Sequence, residues 1–205
     1  MAVAPDTDPG IPTRKDPNVR GLVFDSDAWH DYRDGLLREW IPDADARAWM
    51  LDIFDVAEVL DDLVDRDRSV AEEDLWSAIW ELLVDLPNNP FFRRHRTILT
   101  LLIENAVTLW RYTTDLERDP DGEHAVCGSS RQLTYGLKES QIPILCAVIN
   151  LVRGRDYLAT VMPEIYKMSY DAVGPFEGYA ARVDANLARP PHRLTLAPPA
   201  KEGHP

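Results

Sequence analysis

The sequence predicts an all-α fold: a single-domain helical bundle of about six to seven helices carrying an extended proline-rich arm at each end. Three observations carry that prediction. Apolar residues recur at helical spacing through most of residues 25–188, and no alternating strand pattern of comparable length competes. Proline, glycine and an Asp-Pro-Asp-Gly turn cut this stretch into helix-sized pieces. Outside it, residues 1–24 hold Pro5, Pro9, Pro12 and Pro17, and residues 189–205 hold Pro190, Pro191, Pro198, Pro199 and Pro205, with little apolar periodicity. With 205 residues, 45% of them hydrophobic, the central stretch is long enough for one substantial core.

In chain order, a first helix is predicted over residues 26–40, closed by Pro42. A second starts after Pro42 with Asp43 or Asp45 as its cap and runs to about residue 66. The third starts at Ser69, where Ser69-Val-Ala-Glu72 forms a capping box, and stops near Pro87. A fourth spans residues 89–118 and ends at Asp119-Pro-Asp-Gly122. Residues 124–152 form a long segment that Pro143 should kink or split. Shorter helices follow over residues 155–170 and 176–188, separated by Gly174-Pro175. Such terminal arms, unsupported by a core, are expected to fasten the protein to neighbouring chains or to further copies of itself.

The formal net charge of −13 excludes a phosphate-tracking nucleic-acid binder or a protein that docks on anionic membranes, since both need a basic surface. Cations and basic protein surfaces are the expected partners. The basic cluster Arg93, Arg94, His95 and Arg96 is short and reads as a solvated face or an ion-pair partner for acidic segments. Cys127 and Cys146 supply neither a disulfide framework nor metal-ligand spacing. With no signal-like start and no long apolar run, the expectation is a cytoplasmic product.

The most unusual stretch is Val59-Leu-Asp-Asp-Leu-Val-Asp-Arg-Asp-Arg68. On a helical wheel of about 100° per residue, Trp49, Ile53, Val56, Leu60, Leu63 and Val64 form a core stripe, broadened on one side by Met50, Phe54 and Ala57. Asp61 points along the apolar sector and Asp65 lies one turn further at its edge, so the two share a face, while Asp62 projects outward. Two carboxylates one turn apart beside an apolar groove repel each other and lose hydration unless a cation or arginine sits between them. Magnesium suits that pair, because it takes carboxylate oxygens, keeps several waters and is commonly completed by phosphates. The alternative is the wet edge of an acidic helix, with Arg66 or Arg68 neutralising Asp62 or Asp65 locally.

This stretch resembles the first aspartate-rich motif, Asp-Asp-x-x-Asp, of the trans-prenyl diphosphate synthases and of class I terpenoid synthases more widely. Asp61, Asp62 and Asp65 match it position for position. The resemblance implies an all-α isoprenoid-synthase-like fold in which magnesium held by Asp61 and Asp65 binds a substrate diphosphate. The terpene synthases' second metal motif is matched best by Leu109-Trp-Arg-Tyr-Thr113-Thr-Asp-Leu-Glu117, where Thr113 and Glu117 fit and Leu109 departs. Arg111, Arg118 and Arg131 are then the candidates for the diphosphate oxygens. No second Asp-Asp-x-x-Asp and no Arg-Arg-Gly follow, and the helical core is shorter than such synthases usually are. A looser similarity is to small helical proteins encoded by tailed bacteriophages. It is carried by the aspartate helix, Asn89-Pro90-Phe91, Trp110 to Glu117, and Pro163-Glu164-Ile165. It implies a structural or accessory component, associated with the virion, and no chemistry.

Two readings of function therefore stand side by side: a reduced magnesium-dependent diphosphate-binding protein, and a non-catalytic helical component. The other residue patterns do not separate them. His30, His95, His124, His192 and His204 have no ligand spacing, and solvent exposure is expected for them. Ser129 and Ser130 lack a glycine elbow or paired histidine, and Gly128, Gly136 and Gly154 form no phosphate loop. Trp76 and Trp80, four apart on one helix face, are read as core, with an aromatic ligand pocket as the alternative. The tyrosines and Phe176 in the last two helices suit a partner interface.

Overall fold

The structure, a computed structural model, describes residues 26–65, 70–119, 130–137, 139–173 and 176–188. The two predicted arms, Arg66, Arg68 and Ser69, the turn residues after Asp119, Gly174-Pro175, and His124, Cys127, Gly128, Ser129, His192 and His204 lie outside the described residues. Among the described residues the secondary structure is helical throughout, as the apolar period predicts. The order is α1 (Ser26–Trp40), α2 (Ala44–Asp65), α3 (Glu72–Trp80), α4 (Leu86–Asn88), α5 (Pro90–Arg118), α6 (Ser130–Leu137), α7 (Ile142–Arg153), α8 (Arg155–Val173) and α9 (Phe176–Leu187). A π-helical turn, Glu81–Asp85, joins α3 to α4 without a break, so the pair forms one rod.

Local chemistry explains most boundaries. Pro42 follows α1, and of the two aspartates offered for the next cap Asp43 serves, its Oδ1 accepting from the Ala46 amide at 2.9 Å. Ala71 stands at the cap position of α3, and Ser69, the first residue of the predicted capping box, lies outside the described residues. Pro143 splits the long predicted segment by standing in the first turn of α7, where its missing N–H costs nothing. Gly154 ends α7 at φ 82°, a left-handed conformation that a β-carbon would strain, and so lets α8 start one residue later.

The core lies around α2. Trp49 and Met50 are fully buried, as are Leu37, Trp40 and Ile41 from the end of α1 and Leu145, Val148 and Ile149 from α7. Trp49 stacks on Phe92 with ring centroids 5.7 Å apart and leans on Phe91 at 6.4 Å, which locks α2 to the start of α5. The predicted α2 stripe is shifted. Phe54 is buried, whereas Ile53, Leu60, Leu63 and Val64 are only half-buried, because the neighbouring helices cover the Met50/Phe54 side.

Asn89-Pro90-Phe91 has a structural job. Asn89 Oδ1 accepts from the amides of Phe91 at 2.8 Å and Phe92 at 3.3 Å, Pro90 occupies the first turn, and Phe91 enters the core. The other end of the same side chain reaches across, Asn89 Nδ2 donating to the Asp45 carbonyl at 2.9 Å. At the far ends of the same two helices Arg118 Nη2 donates to the Val64 carbonyl at 3.0 Å. Helices α2 and α5 therefore run side by side in the same direction, bonded near both ends.

Asn89→Ala removes both the cap and the bridge and is expected to cost about 1–2 kcal/mol in urea unfolding. Asn89→Asp keeps the cap but cannot donate to Asp45, and is expected to lie between parent and alanine.

Candidate functional site

The aspartate motif occupies the last two turns of α2. Asp61, Asp62 and Asp65 are all half-buried. Asp61 leans inward as the wheel predicts, and its Oδ1 accepts from the indole Nε1 of Trp110 on α5 at 3.1 Å. An aromatic N–H thus meets the carboxylate that the motif resemblance would give to magnesium. Asp65, one turn on, borders an open cleft of ≈ 200 Å³ lined by Val64, Asp65, Thr114, Glu117, Arg118, Val183 and Leu187.

The second predicted bank is divided. Thr113 is buried, and its hydroxyl donates to the Trp110 carbonyl at 2.9 Å, back along its own helix. Glu117 is also buried, and the Tyr179 hydroxyl of α9 donates to its Oε1. The Thr134 hydroxyl of α6 lies 2.9 Å from the Tyr179 oxygen and 3.0 Å from the Arg131 carbonyl. Glu117, Tyr179 and Thr134 thereby tie α5, α9 and α6 together. Thr113 and Glu117 share a helix, as the spacing predicts, but only Glu117 reaches the cleft.

Of the three predicted phosphate-binding arginines, Arg118 alone lines the cleft. Its guanidinium bonds the Val64 carbonyl at the C-terminal ends of two parallel helices, where carbonyl dipoles concentrate negative potential. Arg131 Nη2 donates to Asp184 Oδ1 on α9 at 2.6 Å, and Arg111 is exposed. The structure brings together Asp65, Glu117 and Arg118, and leaves Asp61, Asp62, Thr113, Arg111 and Arg131 out of the cleft lining. Among the described residues no three His, Cys, Asp or Glu side chains are arranged to hold a metal ion. Asp61, Thr113 and Glu117 each serve a hydrogen bond within the fold, and of these three only Glu117 borders the cleft beside Asp65.

Two expectations from the sequence change. Trp76 and Trp80, read as core, are 61% and 62% exposed, because the partner side of their helix is occupied by Ala78 and Leu86. His30, expected free in solvent, sits 3.2 Å from Glu58, bridging α1 to α2.

Sequence reasoning missed a four-carboxylate cluster in which α2 faces the π-helical turn. Burial, then Asp85 and Asp55, raises the pKa of Asp52, and burial, then Asp52, Asp55 and Asp85, raises that of Glu81. The compensating cation comes from α1: buried Arg33 bonds Asp55 at 3.0 Å and Asp34 at 3.2 Å, with its guanidinium 5.6 Å above Phe54. The signal in the sequence was Glu81 and Asp85 one turn apart, but their meeting with Asp52 needs the α2–α3 packing.

Folding raises both pKa values, so the native state holds protons that the unfolded chain has released. Stability therefore falls as pH rises from the ordinary carboxylate range toward the raised values, and the penalty is complete above them. Asp52→Asn is expected to raise neutral-pH stability by less than about 1 kcal/mol, with the gain vanishing in acid, as read by thermal unfolding across pH. Compared with protein-family models, curated proteins and solved structures, the chain gives no match.

Proposed function

We propose that the chain is a non-catalytic helical interaction protein, a structural or accessory component that meets its neighbours through apolar helix faces. The carrying observation is the row of large apolar side chains left in solvent on two elements. These are Trp76, Trp80, Leu82 and Leu83 on the α3 rod and its π turn, and Ile98, Leu101 and Val107 on α5. Scattered single apolar residues are ordinary on a surface, but runs of them on one element mark protein contacts. The virion-component role implied by the similarity to small phage proteins belongs to the same class of function. Among the described residues no helix is long and apolar enough to cross a membrane.

A second reading, magnesium-assisted diphosphate binding, is supported by the shared cleft of Asp65, Glu117 and Arg118. The C-terminal ends of α2 and α5 point the wrong way for an anion there, since the helix dipole favours cations at that end. A cation between Asp65 and Glu117 is the form of this reading that the electrostatics allow.

If Trp76 and Trp80 serve contacts and not the core, Trp76→Lys with Trp80→Lys should change urea-unfolding stability by no more than about 1 kcal/mol in dilute, monomeric solution. Core tryptophans would cost several kcal/mol each on truncation, and that result would sink the interaction reading. Calorimetric titration of magnesium with inorganic diphosphate into the parent and Asp65→Ala should give no saturable heat that distinguishes the two. A saturable signal lost in Asp65→Ala would favour the second reading.

A further inference from the structure

The α3 rod carries a pattern more specific than exposure. Trp76, Trp80, Leu83 and Pro87 recur at spacings of four, three and four, the rhythm of a helix–helix seam, and all four face solvent. Charges of opposite sign bracket the seam. Glu72, Glu73 and Asp74 fill the first turn of α3 and are exposed. At the other end Pro87 shares an open cleft with Phe92, Arg93, Arg96 and Thr100 of α5. Arg93 is held there by its 2.5 Å bond to Asn88 Oδ1, while Arg94 turns away to Asp43 at 3.5 Å.

The surface carries Glu72, Glu73 and Asp74 at one end, the apolar seam in the middle, and Arg93 and Arg96 of the adjoining α5 beside Pro87 at the other, while Glu81 and Asp85 of the π-helical turn gather with Asp52 and Asp55 of α2. Such an arrangement is complementary to itself under a two-fold rotation. We infer that the α3 rod is a homodimer face, on which two copies pack antiparallel with their Trp76, Trp80 and Leu83 side chains interleaved. Glu72, Glu73 and Asp74 of each copy then oppose Arg93 and Arg96 of the other. This names the partner for the surface proposed above and rests on that reading.

The area is of the right order. Tryptophan and leucine side chains at these exposures each offer on the order of 100 Å², so the seam with Leu82 provides roughly half of the ~800 Å² per partner in a standard interface. The charged ends supply the remainder. The net charge of −13 on each copy repels the other at long range, but at physiological ionic strength the screening length is about 8 Å. Contact pairs across the interface survive that screening better than the distant repulsion does.

The full chain is measured by sedimentation equilibrium at physiological salt, alone and as two charge-reversal variants, Glu72→Arg with Glu73→Arg and Arg93→Glu with Arg96→Glu. Circular dichroism verifies that each is folded. The parent is expected to dimerise at micromolar to tens-of-micromolar concentration, and each variant to dissociate at least about tenfold more readily. The sharp expectation is that a one-to-one mixture of the two variants recovers the dimer, because the mixed pair restores both acid–base contacts. A parent that stays monomeric at several hundred micromolar overturns the inference, as does a dimer indifferent to both reversals or a mixture that fails to recover. A monomeric parent whose tryptophan-to-lysine variant is fully stable overturns the homodimer alone and leaves an exposed surface awaiting another protein. Loss of fold in the tryptophan variant overturns both.

Discussion

Helices α2 and α5 lie parallel, and the rest of the fold follows from that constraint. Asn89 bonds Asp45 near their starts, Trp110 bonds Asp61 in the later turns, and Arg118 bonds Val64 at their ends. Parallel neighbours cannot be joined by a tight turn. A helix of 22 residues is about 33 Å long at 1.5 Å per residue, and the chain must travel that distance back before α5 begins. The α3 rod with its π turn is that return path. It lies against α2 on one side, where Ala78 and Leu86 are buried, and its outer side has no helix of the described fold to cover it.

The same constraint shapes the chemistry at the far end. Two parallel helices finish side by side, so their carbonyl-rich ends add instead of cancelling. Arg118 answers that negative potential, and its position is explained without any ligand. Trp110 does the same for Asp61, whose carboxylate would otherwise be poorly hydrated between two helices. Arg118 and Asp61 are both candidates for a binding site on the family resemblance. In three dimensions each satisfies a group on the adjacent helix.

Much of the fold was legible because helix signals are local. The Pro42 and Pro143 boundaries, the Asp43 cap, the Asn89-Pro90 start and the inward lean of Asp61 all follow from residues within about one turn of each other. What escaped depends on which helices become neighbours. Trp76 and Trp80 share a face as their spacing says, yet spacing carries no information about whether that face receives a partner. The core shift toward Met50 and Phe54, and the meeting of Asp52 with Glu81, have the same origin. The candidate site was legible only as a list. Asp65 and Glu117 reach one cleft, but the local i−3 bond of Thr113 to its own backbone and the long reach of Tyr179 to Glu117 redirect the other donors.

The attachment of α9 has a distinctive character. Its apolar cluster is thin, with Tyr179 and Val183 as the buried members and Tyr135 and Phe176 beside them, while an acid, a phenol and an alcohol meet at its centre. Grease holds a helix through small slips, whereas a hydrogen-bonded relay keeps only one register and is lost abruptly. The closing helix behaves like a latch: seated, it walls one side of the Asp65 cleft with Val183 and Leu187, and unseated, it strands a carboxylate that then needs water. The wall of that cleft is therefore anchored by polar contacts, the Tyr179 hydroxyl on Glu117 and Thr134 and Arg131 on Asp184, more than by the depth of an apolar core.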